Sequence, residues 1–375
     1  MKAAGRVLVL TAPYGSGHDR VAAALAQAFA AEGANARIED HFERFVSSGF
    51  AWASRALFRG ILRHAPPLWG CAYRLAAWLP TQSPAMLGMN RLGAKTLGRY
   101  LQTSRPDLVV HVHPTSAGAM SWLRSRGERV PPDAIVFTDF LAHRQWIYPH
   151  VDRYFVPAEE IGDQLVARNV PVDRVVVSGI PIDAGFTAPP DRAALRAELG
   201  LAGELPVALL VGGMHGWLGK IADVCTVLTE LAVPLHVVVV CGVHTKLAAT
   251  LRARFAGDER FRILGRVTEM QRLMGAADVV VTKAGGVTCA EALALERPLV
   301  FYRSLPGQER ANERFLEQAG VGVRAPDRSA LKVQLTTLFR EPGRLVPLRA
   351  SAQRLRRPEA ARTVAKELLA LAGAR

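Results

Sequence analysis

A chain of 375 residues is too long for one ordinary hydrophobic core and comfortable for two domains. Half of it is apolar and 21% is charged, which excludes a disordered chain; the 47 basic against 33 acidic residues leave a formal charge of +14, favouring nucleic acid, a nucleotide or an acidic membrane surface as partner. Its four cysteines (Cys71, Cys225, Cys241, Cys289) form no CxxC pair, so neither a zinc site nor a disulfide framework is expected, and a reducing cytoplasm is the expected setting.

The apolar run within MKAAGRVLVLTAPYGSGH is too short for a secretory signal. No segment approaches the ~18 apolar residues of a spanning helix, so any membrane contact is expected to be peripheral. Residues 7–10 predict a first strand, followed by a turn in which Gly15 and Gly17 let the backbone bend sharply. Val21, Leu25, Ala28 and Phe29 recur at helical spacing, which predicts a helix from about His18 or Asp19. The helix start can receive an anion or a hydroxyl-rich ligand, and His18, placed above the strand ends, can act as a general base. A simple turn whose histidine caps or packs fits the same spacing. The turn lacks the third glycine of the dinucleotide fingerprint and the Lys-Ser pair of a P-loop.

Residues 42–104 show no strand pattern and mix Trp52, Phe58, Trp69, Tyr73 and Trp78 with many arginines, which predicts a helical insertion. Apolar runs at 108–112, 134–138, 153–156 and 175–177 continue the first sheet, and a second set follows at 207–211, 235–240, 261–264, 279–282 and 299–302. Runs apolar throughout fit parallel strands covered on both faces, so the chain is predicted to be α/β with two doubly wound, Rossmann-like domains. The Pro- and Gly-rich stretch from 178 and a fresh helix over 191–199 place the boundary at 187, giving domains 1–187 and 188–375. A last helix is expected over 360–372.

The second domain carries the denser chemistry. After the run at 279–282 come Lys283, Gly285, Gly286, Val287 and Thr288, then a helix with Glu291. Glycines here allow close approach of a pyrophosphate, the helix start favours its charge, and Glu291 can accept from ribose hydroxyls. Gln308, Glu309 and Asn312, after the next strand, suit sugar hydroxyls. Gly212, Gly213 and His215 follow the domain's first strand, and Gly265, Arg266 and Val267 offer backbone to a nucleobase edge. An ordinary βα turn followed by a polar loop is the competing account of these positions.

GSGH near the N-terminus, TDF at 138–140, HRQWIYPHVDRYFVP at 143–157, SGIPID at 178–183, CG at 241–242 and TKAGGVTCAEALALERPLV with PGQE occur in one order. This set resembles the monogalactosyldiacylglycerol synthases and bacterial processive diacylglycerol glucosyltransferases, over about residues 7–325. The resemblance implies a GT-B fold, two Rossmann-like domains facing across a cleft, with UDP-sugar bound by the C-terminal domain and a lipid acceptor by the N-terminal one. It implies that His18 is the base; Asp139 in TDF is a further candidate, to orient His18 or the acceptor, with a polar strand-end cap as its competing account, and Gly15, Gly17 and His113 are placed on the acceptor side. It also implies a phosphate loop at Gly285, Gly286 and Thr288, ribose recognition by Glu291, a sugar-side loop at Gln308, Glu309 and Asn312, and neither cofactor nor catalytic metal. Two departures fall on the acceptor side or the hinge: Asp183 stands where many bacterial relatives have arginine, and HVHPTSAG at 111–118 lacks the expected glutamine.

The expected activity is inverting transfer of a hexose from a UDP-sugar to a lipid, most directly diacylglycerol, by a peripheral protein on the inner face of the membrane. The basic aromatic insertion is expected to meet the anionic surface, and no recognition motif supports nucleic acid. The alternatives are a lipid II-forming type of UDP-N-acetylglucosamine transferase, a UDP-sugar epimerase and a non-catalytic nucleotide-sugar sensor.

Overall fold

The computed structural model describes residues 5–12, 14–79, 81, 83–188, 191–201, 203, 205–212 and 218–373. It divides into two compact units, Met1–Ala184 with Arg357–Arg375, and Gly185–Arg356.

The first unit is built on β1 (Arg6–Thr11), β2 (Asn35–Asp40), β3 (Leu108–His111), β4 (Asp133–Val136), β5 (Arg153–Val156) and β6 (Val175–Val177), in the order β2-β1-β3-β4-β5-β6. The second is built on β7 (Val207–Val211), β8 (His236–Val240), β9 (Phe261–Leu264), β10 (Val279–Thr282), β11 (Leu299–Tyr302) and β12 (Gly322–Ala325), in the order β12-β11-β10-β7-β8-β9. Every pairing is parallel. The central strands β3, β4, β7, β10 and β11 are buried throughout, as helices on both sheet faces require.

Two strands go beyond the sequence expectation, and both lie at sheet edges. β2 reads NARIED and β12 reads GVRA; with one flank unpaired, each keeps polar side chains in water and shows no apolar run. The domain limits also differ from those expected. The last helix, Ala360–Gly373, buries Ala360, Val364, Ala365 and Leu368 completely and packs on the helix Ser16–Ala31. Arg362 adds an ion pair to Glu32 at 3.2 Å. The second unit therefore ends at Arg356, and the final helix completes the first.

The insertion is helical, as expected, with helices Ser48–His64, Pro66–Trp78, Pro84–Asn90 and Ala94–Ser104. Ser47 caps the first of these by accepting from the Phe50 amide, and Pro66 opens the second. The segment after β4 holds the insertion down. His143 Nε2 lies 3.2 Å from the Tyr73 carbonyl, while Gln145 Nε2 donates to the carbonyls of Ala76 (2.9 Å) and Leu79 (3.0 Å). At Gly179, φ is +90° and an added Cβ would lie 2.4 Å from Arg357 Cβ, so only glycine fits this point of SGIPID. No described helix is long and apolar enough to cross a membrane.

Leu368→Ala should remove buried apolar contact between the last helix and Ser16–Ala31. The expected destabilisation is about 2–5 kcal/mol, read as a lowered urea midpoint of the first unit's transition. An unchanged midpoint would show that the last helix does not support that unit.

Candidate active site

A doubly wound sheet has one position where the chain reverses its direction of winding, and the loops there leave a crevice at the strand carboxyl ends. In the first unit this position lies between β1 and β3, and in the second between β7 and β10.

At the first, the helix begins at Ser16, two residues before the expected start, with Gly15 as an extended N-cap. His18 thus sits in the first helical turn. Its Nδ1 lies 2.6 Å from the Val112 carbonyl at the end of β3. A carbonyl only accepts, so Nδ1 carries the hydrogen and Nε2 keeps its lone pair. Thr138 Oγ1 is 3.5 Å from the same Nδ1. His113 caps the helix Pro114–Ser125, its Nδ1 accepting from the Thr115 amide at 3.3 Å. The His113 ring meets His18 edge-on at 5.1 Å and stacks on Tyr14 at 5.7 Å.

Burial lowers the His18 pKa; Asp139 opposes this most, followed by the Val112 hydrogen bond and Asp19. Burial drives His113 well below the ordinary value, and the charges of His18 and His41 push it the same way. Both rings are neutral near pH 7. Gly15 and Gly17 are half-buried within the same turn.

Sequence reasoning missed the brace behind this turn. His111 is fully buried, with Nε2 3.1 Å from Asp133 Oδ2 and Nδ1 2.9 Å from Ser116 Oγ. The Ser116 hydroxyl lies 2.9 Å from the His113 carbonyl. These residues fix the segment that carries Val112 and His113; their signal was the HVHPTSAG stretch, where only His113 had been singled out. Asp183 also gains a physical setting, since its charge raises the pKa that burial lowers at Arg20, on the His18 helix.

At the second switch point, β10 runs into Lys283 and Ala284, and Gly285 caps the helix Gly286–Ala294 without any side-chain cap. The first intrahelical bond is Cys289 N to Gly285 O at 2.9 Å, so the amides of Gly286, Val287 and Thr288 form the first turn and have no carbonyl within the helix to meet. They are donors suited to an anion. Glu291 is buried one turn on. Gly212 is buried at the end of β7, while Gly213 and His215 lie outside the described residues. At the end of β9, Gly265 accepts from the Gly242 amide at 3.2 Å; Val267 is half-buried and Arg266 exposed.

The residues expected on the sugar side take up a bracing position. Glu309 pairs through Oε1 with Lys283 and accepts the Leu305 amide at 2.9 Å through Oε2. Asn312 is fully buried and donates to the Ala284 carbonyl at 2.9 Å. Gln308 begins the helix Gln308–Gln318 and is half-buried. The structure thus joins Lys283, Glu309 and Asn312 in one support for the glycine loop.

The monogalactosyldiacylglycerol synthase family model matches residues 18–182, and the glycosyltransferase family 28 C-terminal domain model matches 208–364. The processive diacylglycerol beta-glucosyltransferase of Bacillus mycoides (strain KBAB4) is 30% identical over 378 residues, covering 97% of this chain and 93% of that protein. The chain belongs to the family of monogalactosyldiacylglycerol synthases and processive diacylglycerol glucosyltransferases. It is therefore a glycosyltransferase; the first matched segment begins at His18, directly after the Gly15–Gly17 turn, and the second contains the Gly285–Gly286 turn. Among solved structures, Acinetobacter baumannii MurG aligns with a TM-score of 0.66 at 17% identity, over 98% of this chain and 99% of that one. The Staphylococcus aureus MnaA–UDP structure aligns at 0.63 and 13%, over 96% and 94%. At such identities the likeness concerns fold, and the fold of this diacylglycerol glucosyltransferase family member is GT-B.

The buried histidines carry a pH consequence. His41 is fully buried, and burial lowers its pKa to about 4 from an ordinary 6.5. A lowered folded-state pKa gives stability that is complete above pH 6.5 and lost as pH falls through the folded value. His41 alone should remove up to about 3 kcal/mol between pH 6.5 and 4. Urea unfolding at both pH values should show a smaller acid loss in His41→Gln than in wild type; equal losses would contradict this.

Proposed function

We propose that the chain transfers a hexose from a UDP-sugar to the hydroxyl of diacylglycerol, with inversion, at the inner face of the membrane. The observation that carries this reading is the fixed tautomer of His18, whose Nδ1 is held by the Val112 carbonyl and whose Nε2 is basic. Relatives named diacylglycerol beta-glucosyltransferases and monogalactosyldiacylglycerol synthases support the choice of acceptor.

In this mechanism, His18 Nε2 takes the proton of the acceptor hydroxyl as that oxygen bonds to the anomeric carbon. The carbon–oxygen bond to UDP breaks, and its electron pair leaves on the diphosphate. Attack opposite the leaving group turns an α-linked donor into a β product. Asp139 stabilises the imidazolium that forms. Amides of Gly286, Val287 and Thr288 stabilise charge on the leaving diphosphate, with the helix dipole acting in the same sense. Gly212 borders the phosphates, Glu291 accepts from the ribose hydroxyls, and Gly265, Arg266 and Val267 border the base. Gln308 completes the sugar side, with Glu309 and Asn312 holding the loop in shape. No catalytic metal is required, because these groups already meet the charge of the diphosphate.

Membrane docking is assigned to the insertion. Its large apolar side chains divide into two sets. Phe58, Trp69 and Tyr73 pack among themselves and toward His143, whereas Trp52 (70% exposed), Leu57, Leu68, Leu75 and Trp78 (80% exposed) face outward. An exposed apolar surface flanked by Arg59, Arg63 and Arg74 is suited to the interfacial layer of an anionic bilayer.

Incubation with diacylglycerol vesicles and a panel of UDP-sugars in EDTA should give a glycosylated lipid by mass. His18→Ala should lower turnover by ~10²–10⁴-fold. Wild-type turnover in the variant would remove His18 as base, and a free isomerised sugar with no lipid product would remove the transfer reading. Separately, Leu75→Ser should reduce partitioning onto vesicles about tenfold; unchanged partitioning would remove the insertion as the docking surface.

A further inference from the structure

Behind the proposed base, Asp133, His111 and Ser116 form one connected line, and all three are completely buried. His111 ends β3 and pairs in register with Ile135, so Asp133, at the start of β4, is its diagonal neighbour on the same face of the sheet. The helix Pro114–Ser125 then brings Ser116 against the other side of the ring. Acid, histidine and hydroxyl stand in the order of a nucleophile triad, but no substrate reaches this serine, which is buried and bonded to the His113 carbonyl.

Counting hydrogens fixes the direction of each bond. The His113 carbonyl only accepts, so the single hydrogen of Ser116 is donated to it across 2.9 Å. Ser116 Oγ therefore accepts at its other contact, and the hydrogen of the 2.9 Å bond to His111 belongs to Nδ1. A second hydrogen lies on the 3.1 Å line between His111 Nε2 and Asp133 Oδ2, because lone pairs would otherwise face each other inside the core. The pair thus holds one hydrogen more than a neutral imidazole beside a carboxylate. Without that hydrogen, Ser116 would have one donor for two acceptors, and either Nδ1 or the His113 carbonyl would be left unpaired.

Arg124 and Asp152 hold the carboxylate in place. Arg124 Nη1 lies 2.6 Å from Asp133 Oδ1, as an ion pair outside hydrogen-bond alignment, and Nη2 donates to Asp152 Oδ2 at 3.1 Å. Asp152 Oδ2 also accepts from the Asp133 amide at 3.0 Å. Charge alternates from Asp152 through Arg124 to Asp133 and the ring, and bonds in such a line polarise one another.

We infer that His111 and Asp133 are positioning residues for the base: a hydrogen on His111 Nδ1 directs the Ser116 hydroxyl onto the His113 carbonyl, and so holds the adjoining Val112 carbonyl that fixes the His18 tautomer. The effect on turnover rests on the reading of His18 as base, whereas the placement of the hydrogens does not.

Ring ¹⁵N spectra near neutral pH read the hydrogens directly. Wild-type His111 should carry one on Nδ1; Asp133→Asn, which keeps the shape and removes the charge, should lose it. An Nδ1 without hydrogen in the wild type would overturn the inference. Turnover with diacylglycerol vesicles and a urea midpoint are then measured for each variant. Asp133→Asn and Ser116→Ala should each lower kcat about tenfold to a hundredfold with KM for UDP-sugar unchanged. The double variant should fall no further than the worse single one, because both act through one hydroxyl. Met120→Ala, which removes buried volume from the same helix away from the line, should lower the urea midpoint and leave kcat unchanged. Additive losses in the double variant, or an equal loss of kcat in Met120→Ala, would reduce the line to packing and overturn its positioning role. Wild-type turnover in His18→Ala with hydrogen present on His111 Nδ1 would place the failure in the catalytic reading alone.

Discussion

A parallel sheet wound in two directions leaves one gap between neighbouring strands whose connections run to opposite faces, and the rest of the chemistry in this chain depends on that gap. Strands such as β3, β7 and β10 are covered on both faces, so they carry apolar side chains along their whole length. Polar groups have a place only where such strands end. His18 and His113 stand after β1 and β3, and the Lys283–Thr288 turn stands after β10 beside the end of β7. In each unit the gap is also where a helix start points its unmet amides, so the winding supplies the opening and part of its charge.

Local bonding then makes these openings specific. In the first unit the Val112 carbonyl decides which nitrogen of His18 is basic, and the His111–Ser116 brace holds the segment bearing that carbonyl. In the second, the Lys283–Glu309 pair and the Asn312–Ala284 bond tie the glycine loop to the next helix. Both arrangements place a rigid, buried polar group behind a residue to which the proposed function gives a ligand, which restricts motion without occupying the ligand's space.

This division of labour explains how much the sequence reveals. Two-sided burial leaves a continuous apolar run, so the central strands, the two doubly wound domains and the glycine turns were legible. One-sided burial leaves a mixed pattern, so β2 and β12 were not. Residue type showed that Glu309 and Asn312 lie near a strand end, but not that their side chains turn back toward the loop; that direction is set by the helix Gln308–Gln318. The insertion presents five aromatic residues as one group, and only helix packing separates half-buried Trp69, packed on Phe58, from exposed Trp52 and Trp78. The final helix carried a visible apolar stripe, yet its partner across the chain, Ser16–Ala31, leaves no trace in local spacing.

The paired histidines show why the proposed base is His18 rather than His113, although their rings touch. Both lose solvation, which disfavours the imidazolium in each. Around His18 the remaining influences oppose that loss: Asp139 and Asp19 supply negative charge, and the Val112 carbonyl accepts from Nδ1. Around His113 they add to it, because its charged neighbours would be His18 and His41. Its Nδ1 is also engaged by the Thr115 amide, which leaves Nε2 as a donor. A base must be neutral before reaction and must tolerate a proton during it. Only His18 meets both conditions, and if His18 became protonated its charge would further oppose protonation of His113, leaving one proton for the pair to hold.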